Sequence, residues 1–183
     1  MPTDVPVGTL VTERLRLRQW REEDRAPFAA LNADPRVMEF FPSTRSRAES
    51  DALIDRHSAL IDAGEPALRA VEVTATGAFI GFVGLAVPHF EASFTPCVEI
   101  GWRLARDAWG QGYASEAARV VLAHAFDDLG LDEVVSFTAV VNLRSQAVME
   151  RIGMTRDPAD DFDHPLLDPT DRLSRHVLYR TRP

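Results

Sequence analysis

The stretch "DAWGQGYASEAARVVLAHAF", Asp107–Phe126, sets a glycine-rich turn directly before an apolar stripe of helical period. Ala114, Ala117, Ala118, Val121, Leu122, Ala125, Phe126 and Leu129 recur at steps of three and one, which predicts one helix face packed on a sheet and a helix ending at Gly130. The near end of the stripe is almost all alanine, so the helix can approach the sheet closely. Glycine is a poor helix former, so Gly110 and Gly112 carry a cost where they stand. A helix N-terminus projects unpaired N–H groups and a partial positive charge. Glycine lets a phosphate reach those groups without meeting a Cβ. Two readings follow: a phosphate or pyrophosphate cradle, or a tight strand-to-helix turn with no ligand.

Two common phosphate loops do not fit. As a dinucleotide fingerprint, "GQGYAS" has Ser115 where a third glycine or alanine belongs, and too little sequence follows. A P-loop needs a lysine, and all 20 basic residues of this chain are arginines. The same absence excludes a lysine Schiff base with pyridoxal phosphate.

Working outward, "TLVTERLRLRQW" (Thr9–Trp20) alternates as a strand, and "REEDRAPFAALNA" reads as a helix with Phe28 and Leu31 inward. Asp34-Pro35 opens a short turn or helix that Pro42 ends. Ser46–Ala63 predicts a helix with a stripe of Ala48, Ala52, Leu53, Leu60 and Ile61, stopped by Gly64. "ALRAVEV" and "AFIGFVGLAV" form a hairpin through "TATG", and "CVEIGWRLA" is a further strand. After the quoted helix come a strand in "EVVSFTAVV", a helix in "NLRSQAVMERIG", a polar loop from Asp157 to Asp171 and a last strand in "RHVLYR". The order β-α-α-β-β-β-α-β-α-loop-β predicts an α/β or α+β domain with helices on both faces of a mixed sheet. Cys97–Val141 should be a crossover between parallel strands.

A chain of 183 residues, 45% hydrophobic and 26% charged, suits one globular domain, here 1–183 with an ordered core of about 9–182. No apolar run is long enough to span a membrane, and "MPTDVPVGTL" lacks the pattern of a signal peptide. Cys97 is the only cysteine, so neither an internal disulfide nor a cysteine-based zinc site is expected, and the cytoplasm is the expected compartment. A net charge of −8 argues against nucleic acid as a partner. The five histidines show no metal-ligand spacing, and His124 reads as exposed.

The segment Trp109-Gly110-Gln111-Gly112-Tyr113-Ala114 resembles motif A of the GCN5-related N-acetyltransferases, Gln/Arg-x-x-Gly-x-Gly/Ala, with Trp109 departing from Gln/Arg. "NLRSQAVMERIGM" resembles a second segment of the subgroup of ribosomal-protein N-terminal acetyltransferases (RimJ/RimL-like), with Asn142, Ser145, Val148, Gly153 and Met154 in register. The opening "RLRLRQWREEDRAPFAALNADPRVMEFFP" and the closing "HVLYR" are similar to the same subgroup. The resemblance implies the single-domain fold of that family, a central mixed and splayed sheet flanked by helices. It implies acetyl-CoA as co-substrate, no metal, and direct transfer of acetyl to an amine. Gln111, Gly112, Tyr113, Ala114 and Ser115 would bind the pyrophosphate through backbone N–H groups, with Trp109 and Gly110 in the turn. Trp102, Arg103 and Leu104 would pair with the pantetheine arm, and Asn142 and Ser145 would lie beside it and the sulfur.

The chemistry needs a base for the ammonium, polarisation of the carbonyl and a proton for the thiolate. Where many relatives carry a tyrosine acid, this chain has Met149, and the resemblance to the subgroup, in which the serine is the usual candidate, implies Ser145 in that role; its other reading is that it only caps the helix after Asn142 or fixes CoA. The resemblance also makes Glu99 the first candidate base, acting directly or through water, with Asp161, Asp163 and His164 behind it; the other reading of Glu99 is an exposed or structurally paired carboxylate. An acetyl-cysteine at Cys97 is disfavoured, since a lone buried cysteine is common. Phe40, Phe41, the Pro88–Pro96 segment with Phe90, and the acidic Asp157–Asp171 loop are candidate acceptor walls, and the loop's charge would favour a cationic acceptor. Peptide N-termini, small amines, amino acids and aminoglycoside-like molecules all fit as acceptors. A homodimer is allowed. The alternative from another class is a non-catalytic acyl-CoA-binding module on the same fold.

Overall fold

The computed structural model describes residues 8–183, so the reading of the opening stretch falls outside the described residues over Met1–Val7. Nine strands make one mixed sheet: β1 (Leu10–Val11), β2 (Leu15–Arg18), β3 (Leu68–Val73), β4 (Phe79–Ala86), β5 (Glu99–Leu104), β6 (Val134–Ala139), β7 (Thr155–Arg156), β8 (Phe162–Asp163) and β9 (Arg175–Thr181). The order across it is β1-β2-β3-β4-β5-β6-β9-β7, with β8 also beside β9. The helices are α1 (Arg25–Ala33), α2 (Arg47–Asp62), α3 (Tyr113–Ala123) and α4 (Leu143–Arg151). Every strand pair is antiparallel except β5–β6, joined through α3 as the pattern predicts.

Strand alternation sends side chains to two faces. On one face Leu15, Leu17, Val71, Val83, Leu85 and Ile100 meet Ala117, Ala118, Val121 and Leu122 of α3. On the other, Trp20, Leu68, Ala70 and Phe82 meet Phe28 and Leu31 of α1 and Ile54 of α2. The alanine end of α3 lets it sit low on the sheet, since Ala117 and Ala118 have no exposed surface. Among the described residues no helix is long and apolar enough to cross a membrane.

Four expectations are corrected. The strand signal of Thr9–Trp20 splits into the hairpin β1–β2. Its turn is tied to α3, because Arg14 Nε donates to Glu116 Oε2 (2.7 Å) and the Thr12 hydroxyl donates to Glu116 Oε1. The inward face of α2 is Ser50, Ile54 and His57, while Ala48 and Ala52 are exposed. Counting apolar residues misses that face because Ser50 and His57 are buried through hydrogen bonds: Asn32 Nδ2 donates to Ser50 Oγ (3.0 Å) and the Leu68 N–H donates to His57 Nδ1 (3.1 Å). The polar loop contains a strand, since Phe162 pairs with His176. His124 is half-buried rather than exposed. It lies in a π-helical turn, His124–Asp128, that extends α3, and Nδ1 pairs with Asp128 Oδ2 at 2.7 Å.

The feature that positions the site is the β5–β6 junction. These strands share one register pair, Glu99 with Val135, and the Val135 N–H donates to the Val98 carbonyl (2.9 Å). One residue further on, a side chain replaces the ladder: Ser136 Oγ donates to the Ile100 carbonyl (2.9 Å). Beyond that point the strands diverge and leave a cleft.

Candidate active site

At the far end of the cleft, Gly110 and Gly112 adopt left-handed φ values of +73° and +79°. A side chain there would be strained, so the turn itself requires glycine. Two further observations favour the cradle. Gly112 is the N-cap of α3 and supplies no side-chain cap, which leaves the first-turn N–H groups of an eleven-residue helix without side-chain acceptors. A Cβ on Gly110 would meet nothing within 4 Å, and one on Gly112 only the Arg14 guanidinium at 3.5 Å. The donors and the space therefore fit an approaching phosphate. Gln111 and Gly112 are exposed; Tyr113 lies under Arg14, 4.8 Å from ring centroid to guanidinium. Ser115 is buried, and its hydroxyl accepts from Arg151 Nη1 (3.2 Å).

A cavity of about 840 Å³ runs through the cleft. It brings together Glu99, Trp102, Arg103 and Leu104 of β5, Trp109, Gly110 and Ala114 of the turn, and Asn142 and Ser145 of α4. Phe40, Phe41 and Phe90 also line it, whereas Gln111, Gly112, Tyr113 and Ser115 lie outside its wall. On β5 the cleft-facing carbonyls are those of Ile100, taken by Ser136, and Leu104, taken by the Trp109 indole N–H (2.8 Å). By alternation Trp102 is the residue between them whose backbone turns to the same side. The Arg103 backbone belongs to the β4 side, where it is in register with Phe82, and its side chain packs on Phe41 and Phe82.

Glu99 makes no hydrogen bond or ion pair among the described residues and lines the cavity, so it is not a paired structural carboxylate. It keeps some accessible surface, yet that surface opens on the cavity, and protein encloses the group on its other sides. Burial pushes its carboxyl up to about 8. Cys97 lies outside the cavity wall, and burial, then the charge of Glu99, raises its thiol to about 11, which keeps it protonated.

The other candidate bases separate cleanly. Asp161 is bound by Arg156 and Asp163 by Arg175 (3.4 Å), and neither lines the cavity. The neighbouring Asp160 pairs with Arg180 (2.9 Å), so much of the loop's acidity is matched by arginines. His164 does line the cavity, its ring tilted against those of Phe90 (4.7 Å between centroids) and His176 (4.9 Å), and burial lowers its pKa. Burial takes His176 down to about 4, so it stands neutral.

Ser145 does not cap α4; Asn142 does. The Asn142 Oδ1 accepts from the Ser145 N–H (3.2 Å), which fixes the amide orientation. Its Nδ2 must then donate, and it does so to Thr138 Oγ1 (2.9 Å) and Ser145 Oγ (3.0 Å). A hydroxyl that accepts from an amide keeps its own hydrogen for another partner. Ser145 is thus held on the cavity wall with a free donor.

The sequence motifs do not single out several other wall residues: Ser136, Phe137, Thr138, Arg144, Arg151 and His176. Period two on β6 puts Ser136 and Thr138 on one side, a signal that the sequence carries; Arg144 and Arg151, one and six residues from Ser145, have none.

Comparison with known proteins agrees with this geometry. Residues 14–155 match the acetyltransferase (GNAT) domain family. The FsC-acetyl coenzyme A-N(2)-transacetylase of Aspergillus fumigatus is 39% identical over 153 residues, which cover 80% of this chain and 65% of that protein, so this chain spans less than two thirds of that relative. An acetyltransferase structure from Agrobacterium tumefaciens superposes with a TM-score of 0.76 at 28% identity, covering 100% of this chain and 98% of that one. A ribosomal-protein-S5-alanine acetyltransferase from Vibrio fischeri shares the fold, with a TM-score of 0.74 at 14% identity over 95% of this chain and 96% of that one.

The raised carboxyl of Glu99 has a stability signature. Its folded value of about 8 lies above the ordinary 4.5, so the folded state holds the proton more tightly. The stability linked to it is fully present below pH 4.5 and is lost as pH rises through about 8. Glu99→Gln removes this term. The variant should therefore melt close to the parent near pH 5 and increasingly above it up to pH 8. Thermal unfolding of both proteins across that range checks it; parallel curves would mean that water reaches Glu99 freely.

Proposed function

Since the chain belongs to the acetyltransferase (GNAT) family, and is an N-acetyltransferase, we propose that it moves acetyl directly from acetyl-CoA to a primary amine, either a peptide α-amine or that of a small molecule. One observation carries the assignment of the site: an unpartnered, half-buried carboxyl at Glu99 and a hydroxyl with a free hydrogen at Ser145 face one cavity on opposite sides of the split between β5 and β6. A non-catalytic acyl-CoA-binding module would have no use for either group.

The residues divide the work as follows. The N–H groups of Gln111 to Ser115 receive the pyrophosphate at the α3 N-terminus, and Gly110 and Gly112 clear its approach. The free backbone of Trp102 pairs with the pantetheine arm. Asn142 holds Ser145 beside the sulfur. Glu99 takes the proton from the acceptor ammonium, directly or through a water, and frees the nitrogen lone pair to attack the thioester carbonyl. As the carbon–sulfur bond breaks, Ser145 passes its hydroxyl hydrogen to the departing thiolate and takes back the second proton, which the attacking nitrogen sheds as it becomes an amide. Phe40, Phe41 and Phe90 shape the acceptor side. The similar transacetylase acts, by its name, on an N2 amine, which supports an amine nitrogen as nucleophile here. A single unpaired thiol supports the cytoplasm as the compartment.

Three measurements test these roles. Gly112→Val sets a branched side chain at a left-handed position beside the N–H groups, and acetyl-CoA affinity in calorimetric titration should fall at least tenfold, about 1.4 kcal/mol. Ser145→Ala should lower kcat by roughly a hundredfold with acetyl-CoA affinity nearly unchanged; a near-normal kcat returns Ser145 to a structural role. In the parent, kcat/KM should rise with pH and level off near 8, the value of Glu99 in the free enzyme. Glu99→Gln should depress the rate and remove the part of that limb belonging to the carboxylate, leaving only the titration of the acceptor amine, near 8 for an α-amine. An unchanged profile would move the base to His164 or to solvent.

A further inference from the structure

Three arginines are buried, Arg18 at 6% exposed and Arg69 and Arg103 at 7%, and the fold treats them differently: Arg69 donates to the Gly8 carbonyl and lies off the cavity, and only Arg103 of the three lines the cavity. Arg18 is matched by Asp24 (2.7 Å) and Glu72 (2.8 Å). Arg103 has no carboxylate at ion-pair distance among the described residues. Its side chain makes one hydrogen bond there, from Nη1 to Asn32 Oδ1 (2.6 Å), and its Nε has no partner. The guanidinium lies 4.1 Å from the Phe41 ring centroid and 5.3 Å from that of Phe82. Behind it Asn32 donates to Ser50 Oγ (3.0 Å), which donates to the Ser46 carbonyl (2.9 Å), so the amide that grips it is itself fixed. A buried cation without a counter-charge is expensive, and here it is rigidly held on the wall of the acceptor cavity. Burial, then repulsion from Arg45, lowers its pKa to about 9, so it is still charged at neutral pH.

We propose that the missing counter-charge comes from the substrate: the acceptor amine also bears a carboxylate, and Arg103 receives it. The inference rests on the N-acetyltransferase reading and narrows it to a class of acceptor. Glu99, Gly101 and Arg103 share the β5 face turned to α1 and α2, opposite the Ile100 and Leu104 side chains that pack under α3. Gly101 leaves the floor between them bare: a Cβ there would meet only Glu99 Oε1, at 4.0 Å. Arg103 lies four residue steps along the strand from Glu99, about 13 Å between Cα atoms. That span suits an amine and a carboxylate several bonds apart, as in a short peptide, better than the two groups on one carbon. A guanidinium fork recognises a carboxylate through paired hydrogen bonds, and the aromatic faces hold its plane. Three of the loop's aspartates, Asp160, Asp161 and Asp163, are paired with the flanking Arg180, Arg156 and Arg175, and none of these three lines the cavity, which lessens the loop's opposition to such a ligand.

The test uses matched acceptors: Ala-Ala and Ala-Ala-Ala against their C-terminal amides, and Ala-Glu amide against Ala-Gln amide. The parent should prefer the carboxylate member of at least one pair by tenfold or more in kcat/KM. Arg103→Met should bring the ratio to threefold or less. Because Arg103 is buried, Asn32→Asp provides a second route: it gives the guanidinium an internal carboxylate and should erase the same preference in a folded protein. In both variants acetyl-CoA affinity should stay within threefold of the parent. Absence of any preference in an active parent overturns the acceptor class and leaves the acetyltransferase assignment standing. A large loss of acetyl-CoA affinity in the variants, with all acceptors slowed alike, overturns it by giving Arg103 to the co-substrate. Acetyl-CoA binding without transfer to any member of the panel also overturns it. Failure to bind acetyl-CoA removes the underlying reading itself.

Discussion

The site depends on a sheet that stops being a sheet at one place. β5 and β6 share the Glu99–Val135 pair and then part. Backbone groups cannot be left bare inside a protein, so each cleft-facing carbonyl beyond the split needs a new partner. Ser136 supplies one to Ile100, and the Trp109 indole supplies one to Leu104. Trp102, between them, keeps an open edge that an extended ligand can pair with as a strand would. The same divergence places α3 at the cleft's end with its N-terminus uncapped. A strand-like groove and an anion-binding helix end thus have one cause.

The two faces of the sheet then take different duties. Under α3 the contact is between apolar side chains, and alanines bring the helix close. Under α1 and α2 the contact is partly polar: Arg18 with Asp24 and Glu72, Arg103 with Asn32, Ser50 with Asn32. Removing one partner from such a network leaves a buried group unsatisfied, which costs about 1–3 kcal/mol. This polar face is also the one on which Glu99 and Arg103 stand. The acceptor side is therefore built on rigid, hydrogen-bonded supports, and the CoA side on backbone geometry.

How much the sequence discloses follows from what each signal encodes. The α3 stripe and the glycines of the turn are local features, and both are legible in the order of residues alone. The parallel crossover follows from element order. The wall function of Phe40, Phe41 and Phe90 depends on contacts between distant segments, whereas the capping by Asn142 rather than Ser145 is decided locally, by side-chain geometry within Thr138 to Ser145 that residue order does not show. Motif spacing names Asn142 and Ser145, but which side chain accepts and which keeps a free hydrogen depends on the position of Thr138. The α2 face is hidden from an apolar count because Ser50 and His57 are polar residues whose burial is justified only by Asn32 and Leu68 across the fold. The acidic loop misleads for a related reason: its charges look free in sequence and are matched by Arg156, Arg175 and Arg180.

The proton balance ties Glu99 to the kind of amine. A carboxyl at about 8 is mostly protonated at neutral pH, which is poor for a base meeting a strongly basic amine. An α-amine titrates near 8, so transfer of its proton to the Glu99 carboxylate is close to thermoneutral. A lysine-type amine, near 10.4, would face an uphill step of roughly 3 kcal/mol at the same base. The dry pocket that raises Glu99 therefore selects for the weaker base among amines. An ammonium entering that pocket is a buried cation in its own right, and Arg103 is already another. A carboxylate on the same ligand cancels one of the two charges, while ionised Glu99 cancels the other until the proton moves. An α-amine with a carboxylate a few bonds away is the acceptor for which the charges of Glu99, Arg103 and the incoming ammonium stay matched at each stage.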